Sequence, residues 1–340
     1  LIKMEGVGIG TAIEPDETGD NTTLQHVTIH SDYEHVTWGD LEPRVEGSER
    51  WMIKEVNSTY CSVQLQYQIR GKGEENEEDV YKVKEFFRIR YKPENKRVLL
   101  LDYDRTMEQI FDAAKKVLNE KGVLLGIANP DTPYMADKSG ARVAFVQADE
   151  LWYYDKKADE LSLVFSFTSG EGKDDRNLTA QHQIKLLDID KKGNFSFAVY
   201  GYMNRGEHEG EVGVAVYYYN AAEGCVEEKS FISTRKSYGH VALELGKLIC
   251  YSVARDTMYV LTDGTLYQIE VGKGRMFELA NNLKDGQYII SEDGTRMAYR
   301  SGKQQDTSRE VKVLTFASGK KRTVECEEGQ NIVPLGFMDT

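Results

Sequence analysis

Several groupings of residues in this chain of 340 residues could do chemistry. The apolar run Val98-Leu-Leu-Leu101 ends in Asp102-Tyr-Asp104-Arg-Thr106, which gathers two carboxylates and a hydroxyl at a strand end. In Asp188-Ile-Asp190-Lys-Lys-Gly193-Asn194, carboxylates precede a glycine turn and could coordinate a hard cation such as Ca²⁺. That segment lacks a third acidic ligand and a later bidentate glutamate, and a repeated β-turn accounts for the same residues. His26, His30 and His35 lie close together in a segment read as a strand. His26 and His30 share a face at i, i+4 while His35 points away, a pattern that suits a solvated edge better than a metal triad. The runs Trp152-Tyr-Tyr154 and Tyr217-Tyr-Tyr219 could form a sugar- or peptide-binding platform. Neighbours in a strand face opposite ways, so packing between sheets accounts for most of these rings.

Other signatures of catalysis are missing. There is no Gly-x-Ser-x-Gly nucleophile elbow, and Gly170-Glu-Gly172 and Gly272-Lys-Gly274 read as turns, because no helix follows to offer its N-terminus to a phosphate. The four cysteines Cys61, Cys225, Cys250 and Cys326 are widely spaced, with no Cys-x-x-Cys and no nearby histidine. They read as small buried hydrophobes rather than zinc or redox groups, and two disulfides would leave every connectivity open. Asn21-Thr-Thr23, Asn57-Ser-Thr59 and Asn177-Leu-Thr179 match the glycosylation pattern. The expectation is that no residue is catalytic, that no cofactor or metal is bound, and that the chain is not an enzyme.

The elements that would position these residues form a repeat. Asp137-Lys-Ser-Gly140 before Ala141 to Phe145, Asp190-Lys-Lys-Gly193 before Asn194 to Ala198, and Ser291-Glu-Asp-Gly294 before Thr295 to Tyr299 are each a polar turn closing on glycine, followed by an apolar strand. A weaker copy is Glu244-Leu-Gly246 before Lys247 to Tyr251. A hairpin follows each: Glu150–Tyr154 with Leu161–Phe165, Val212–Tyr219 closed by Asn220–Gly224, Leu266–Val271 closed by Gly272–Gly274, and Glu310–Phe316 closed by Ala317–Gly319. Two strand pairs in roughly 50 residues predict a four-stranded antiparallel blade, so the fold class is all-β, a β-propeller. An earlier blade is read in Cys61–Arg70, Val80–Tyr91 and Val98–Leu101. One inserted α-helix is predicted over about 105–121, with Met107, Ile110, Phe111, Ala114, Val117 and Leu118 on one face and Asp104 or Thr106 as its cap. The domain reading is 1–135 for the N-terminal β segment with its first blade and helix, and 136–340 for the repeated blades. A last blade begins at Ile332, and the strand Leu24–Ile29 is expected to complete it.

Ser291-Glu-Asp-Gly-Thr-Arg-Met-Ala-Tyr299 with Glu310-Val-Lys-Val-Leu314 resembles the repeat of the TolB-like, or PD40, β-propellers. That resemblance implies a fold; members of the family serve as binding platforms, periplasmic accessory proteins and gating domains fused to peptidases. The Asp102-x-Asp104-x-Thr106 segment resembles motif I of the haloacid-dehalogenase-like phosphatases. This resemblance implies Asp102 as nucleophile, Asp104 as acid/base and Mg²⁺ as counter-charge. That family needs a parallel sheet alternating with helices, and the chain offers one predicted helix, with Asp174-Asp175 in a polar loop.

A net charge of −13 and a pI near 5.1 disfavour nucleic acid as a partner. No run reaches the length of a membrane span, and a signal or anchor is expected upstream of Leu1. The function read from the sequence is a non-catalytic extracellular or cell-surface platform for a protein, peptide or glycan. The alternative is a Mg²⁺-dependent phosphohydrolase, or an accessory domain of a larger hydrolase.

Overall fold

The computed structural model describes residues 12–338, apart from 74–75, 116, 120–121, 169–173, 179–180, 246–248, 253–254, 293 and 302–308. The chain divides into two units, one of residues 1–133 and 145–180, the other of 134–144 and 181–340.

The first unit is built on a sheet of long strands: β1 (His26–Thr28), β2 (Arg44–Val56), β3 (Cys61–Lys72), β4 (Glu78–Lys92) and β5 (Arg97–Gln109), in the order β1-β5-β4-β3-β2. Adjacent strands are antiparallel. Alternation selects one face, on which Leu65, Tyr67, Ile69, Tyr81, Val83 and Met107 are buried against Trp38 and Leu41. The single turn of helix α1 (Tyr33–Val36), capped by Asp32 accepting from the His35 N–H, lies between β1 and β2. On the same face Glu85 accepts from Tyr67 at 3.0 Å and from Tyr103 at 2.6 Å. Its register partner Arg105 is fully buried and donates to the carbonyls of Val36 (3.1 Å) and His35 (2.6 Å).

The structure replaces the helix expected over 105–121. Arg105 to Gln109 extend β5, and the described residues beyond are turn and coil with the two-residue strands β6 (Leu118–Asn119) and β7 (Gly122–Val123). Both sides of β5 supply partners: Arg105 and Met107 face Glu85 and Val83 of β4, and the Met107 N–H reaches the Gln25 carbonyl at 2.8 Å. A short helix is marginal by itself, and two paired neighbours outweigh it. Asp104 and Thr106 are therefore strand residues, not caps. The strand expected at Leu24–Ile29 pairs with β5 through β1 rather than with a last blade. Residues 332–338 form no strand.

Four further sheets have four antiparallel strands each. The first holds β8 (Tyr134–Ala136), β9 (Arg142–Gln147), β10 (Glu150–Asp155) and β11 (Glu160–Phe165), and the division between the units falls within β9. The second holds β12 (His182–Ile189), β13 (Phe195–Tyr202), β14 (Val212–Asn220) and β15 (Cys225–Thr234). After helix α2 (Tyr238–Leu245) come β16 (Ile249–Ser252), β17 (Thr257–Thr262), β18 (Thr265–Glu270) and β19 (Arg275–Ala280). The last holds β20 (Tyr288–Ile290), β21 (Arg296–Ser301), β22 (Glu310–Thr315) and β23 (Lys320–Glu325). Each sheet runs in chain order, a plain meander.

The turn between a sheet's first and second strands recurs atom for atom. Gly140, Gly193 and Gly294 donate to the carbonyls of Asp137, Asp190 and Ser291 at 2.9, 3.1 and 2.8 Å. All three glycines have positive φ, which is why the sequence repeat closes on glycine. The copy expected at Gly246 is out of register. Gly246 itself lies outside the described residues and precedes β16, whereas the corresponding connection lies between β16 and β17. Within the second unit, β12 lies against β8 and β16. Ala198, Val214 and Val216 pack with Met258, Val260 and Ile269, and Tyr259 and Leu261 pack with Met297 and Leu314, so successive sheets stack face to face.

Candidate functional site

Asp102 and Asp104 lie within an antiparallel sheet, with no helix after them. Asp102 faces Arg88 at 3.6 Å and Asp104 bonds the His26 ring at 2.7 Å. The setting that the phosphatase resemblance requires, a parallel strand leading into a helix, is not what surrounds them. The histidines are not gathered: His26 pairs with Asp104, His30 with Asp16 at 2.8 Å, and His35 with Asp32 at 2.8 Å. His30 lies in a turn and His35 in α1, outside the strand expected for all three. Among the described residues no group of three or more His, Cys, Asp or Glu could hold a metal.

Asp190 spends its carboxylate on its own turn, accepting from the N–H groups of Lys192 (2.7 Å) and Asn194 (3.0 Å). Burial pushes the neighbouring Asp188 carboxyl up. Trp152, Tyr153, Tyr154 and Tyr219 are buried, and Tyr217 stacks on Phe197 at 5.2 Å, so both aromatic runs are packing. The cysteines are free and half-buried, and burial pushes the Cys250 thiol up to about 12, which leaves little thiolate. The Asn57 side chain accepts from the Thr59 N–H at 2.8 Å in a local turn, and Asn177 lies in a short 3-10 turn. Gly170, Gly172 and Thr179 lie outside the described residues.

A cleft of about 690 Å³ opens at one end of the second and third four-stranded sheets, lined by Glu211, Ser233, Thr234, Arg235, Lys236 and Asp263. One wall is the connection from β13 to β14. It is closed on itself by Met203 N–H to the Glu211 carbonyl and Gly210 N–H to the Met203 carbonyl, both 2.8 Å. It is pinned to β15 by His208, whose ring stacks on Phe231 at 3.7 Å and lies 2.8 Å from Glu228. The opposite wall is the β17–β18 turn, where Asp263 has a φ of 52°. The Thr234 hydroxyl donates to Asp263, and the Lys236 ammonium lies 3.3 Å from it. That acid is therefore matched from within the protein. Arg235 is exposed and has no partner among the described residues. A guanidinium beside hydroxyls can take a carboxylate, sulfate or phosphate by paired hydrogen bonds. Sequence reasoning missed Ser233-Thr-Arg-Lys236, because two cations after a strand carry no catalytic signature. Their position at a sheet end was the available signal.

A second polar cluster also had no sequence signal, since turns that are distant in sequence assemble it. Lys82 on β4 lies 2.5 Å from Asp149 in the β9–β10 turn, where Ala148 and Asp149 both have positive φ. Burial, then the charge on Asp149, raises the Glu108 carboxyl. Burial also raises Glu150, against a hydrogen bond from the Ser166 hydroxyl at 2.7 Å.

No described protein family and no curated protein matches the chain. Solved structures are similar to it only distantly. One is the extracellular domain of a proposed one component system from B. thetaiotaomicron, at 10% identity and a TM-score of 0.32 over 85% of this chain and 29% of that one. Another is a chain of a nidogen/laminin complex, at 8% identity and 0.32 over 85% and 97%. A third is a eukaryotic initiation factor, at 9% and 0.32 over 76% and 52%. The chain thus spans under a third of the first of these and about half of the third. At such scores the likeness carries no argument about ligand or activity.

Proposed function

We propose that this chain is a non-catalytic, extracellular or cell-surface module of the β-propeller type, which binds a protein, peptide or glycan through an acidic group held by Arg235. The carrying observation is the cleft itself: its Asp263 carboxylate is matched by Lys236 and Thr234, its Glu211 carboxylate lies 3.9 Å from the His208 ring, and Arg235 has no partner among the described residues. Sheets that stack face to face with recurrent turns support the propeller reading, and a rigid stack of that kind holds loop ends still for binding. The binding claim is tested on an array of uronic-acid oligosaccharides and acidic peptides. Wild type is expected to give signals that Arg235→Ala loses at least tenfold; undiminished signals would refute the site. The non-catalytic reading is tested with Mg²⁺ and generic phosphomonoesters. Turnover abolished by Asp102→Asn would overturn it. Location is tested by protease treatment of intact producing cells, where digestion of the chain is expected and protection contradicts the reading.

A further inference from the structure

The cleft at Arg235 is lined by charges of both signs, Arg235 and Lys236 against Glu211 and Asp263, which balance. One pair closes within the protein: the Lys236 ammonium lies 3.3 Å from Asp263, and the Thr234 hydroxyl donates to the same carboxylate. Arg235 and Glu211 do not close on each other. Among the described residues Arg235 has no partner, and the only basic group near the Glu211 carboxylate is the His208 ring, at 3.9 Å. That ring is engaged elsewhere, with Nε2 2.8 Å from Glu228 and its face stacked on Phe231 at 3.7 Å. At 3.9 Å its Nδ1 is beyond hydrogen-bond distance of Glu211, whose side chain is 50% exposed. The backbone beneath that side chain is fixed, since the Glu211 N–H donates to the His208 carbonyl at 3.0 Å and its carbonyl accepts from Met203 at 2.8 Å.

An open guanidinium and an open carboxylate in one cleft select a ligand by both of its charges. A purely anionic ligand, a uronic-acid chain included, gains Arg235 but brings its charge into a space that already holds two carboxylates, and that repulsion acts against it. A ligand whose cation meets Glu211 while its carboxylate meets Arg235 gains two charge-assisted contacts and leaves neither acid facing a like charge. The volume of about 690 Å³ falls in the range of small-ligand sites, which suits a short stretch of peptide.

We propose that Glu211 determines specificity beside Arg235 and that the cleft takes a dipolar peptide, its carboxylate on the Arg235 guanidinium and a lysine, arginine or amino-terminal cation on the Glu211 carboxylate. The inference rests on the Arg235 reading and narrows its ligand to one class. The test is competition binding to wild type, Arg235→Ala and Glu211→Gln, with short peptides that carry Asp and Lys at varied spacing, the same peptides with Gln in place of Lys, and uronic-acid oligosaccharides. Wild type is expected to hold the best dipolar peptide at least tenfold more tightly than its acid-only counterpart or any uronic-acid chain. Glu211→Gln, at an exposed position, is expected to erase that preference with an unchanged melting temperature, while acid-only peptides bind it no less tightly than wild type. Arg235→Ala is expected to weaken both kinds of peptide alike. Acid-only ligands held as tightly as dipolar ones, a preference that survives Glu211→Gln, or a Glu211→Gln variant that weakens every ligand equally would overturn this inference, and the Arg235 reading would stand as long as Arg235→Ala still weakens binding. Binding that Arg235→Ala leaves untouched, or no binding by any of these ligands, would overturn both.

Discussion

At the scale of single residues, the strongest interactions are buried and polar. Arg105 joins β5 to α1 through two carbonyls and lies 3.6 Å from the Trp38 ring, beneath a face where Glu85 gathers two tyrosine hydroxyls. Replacing a buried charge whose surroundings stay polar costs far more than replacing an exposed one. Arg105→Leu is expected to lower stability by about 3 kcal/mol in urea denaturation, with exposure of Trp38 visible in its emission. Glu108 works the other way. Its raised carboxyl binds a proton more readily in the folded state than unfolded, so its cost appears as pH rises above the ordinary value of 4.5 and is complete above its folded value. Glu108→Gln is expected to raise the melting temperature at neutral pH and to change it little at about pH 4. An equal gain at both would contradict that assignment.

At the scale of elements, turns and strands were legible in the sequence to very different degrees. The recurrent turn was readable because it depends on two local requirements, a side chain that bonds its own backbone and a glycine at positive φ. The hairpins at β14–β15, β18–β19 and β22–β23 were readable from Gly224, Gly274 and Gly319 at positive φ, and in the β10–β11 hairpin Asp159 takes that conformation. The end of β5 was not. Met107, Phe111 and Val117 fall at helical spacing, yet Met107 is buried by Val83 of β4 and Ile127, and Phe111 and Val117 pack with Phe145 and Trp152, partners that no local window contains. The shift at Gly246 has a like origin, since α2 intervenes where a steady period was assumed. Gly201 in β13 shows a constraint that the sequence did not signal. Its φ is 127°, and a Cβ there would lie 2.3 Å from the Gln181 carbonyl oxygen. Gly201→Ala is expected to cost about 2 kcal/mol and to loosen β12 from β13, read as lost amide protection at Gln183 to Lys185.

At the scale of the whole molecule, charge sets the conditions under which the fold is most stable. Hydrogen bonds from Thr18, Thr22 and His35 hold Asp16, Asp20 and Asp32 below the ordinary 3.8, so their contribution is present above that value and is lost as pH falls through the lower folded ones. Glu108 and Glu150 pull in the opposite sense above 4.5, and the net charge of −13 adds self-repulsion as pH rises. The melting temperature is therefore expected to be higher at about pH 5.5 than at about pH 8, and to fall steeply below about pH 3.5. A flat profile would contradict this balance. Of the candidate site, the sequence showed the scaffold and not the cleft. Ser233, Arg235 and Asp263 meet only when the second and third four-stranded sheets stack, and none of them belongs to the carboxylate, histidine or aromatic groupings that stand out along the chain.

The most direct test of the account is a paired binding measurement of wild type and Arg235→Ala on the array of acidic oligosaccharides and peptides, with their melting temperatures compared. Binding by wild type that falls at least tenfold in the variant at equal stability is the result expected; ligands held equally by both, or by neither, would contradict it.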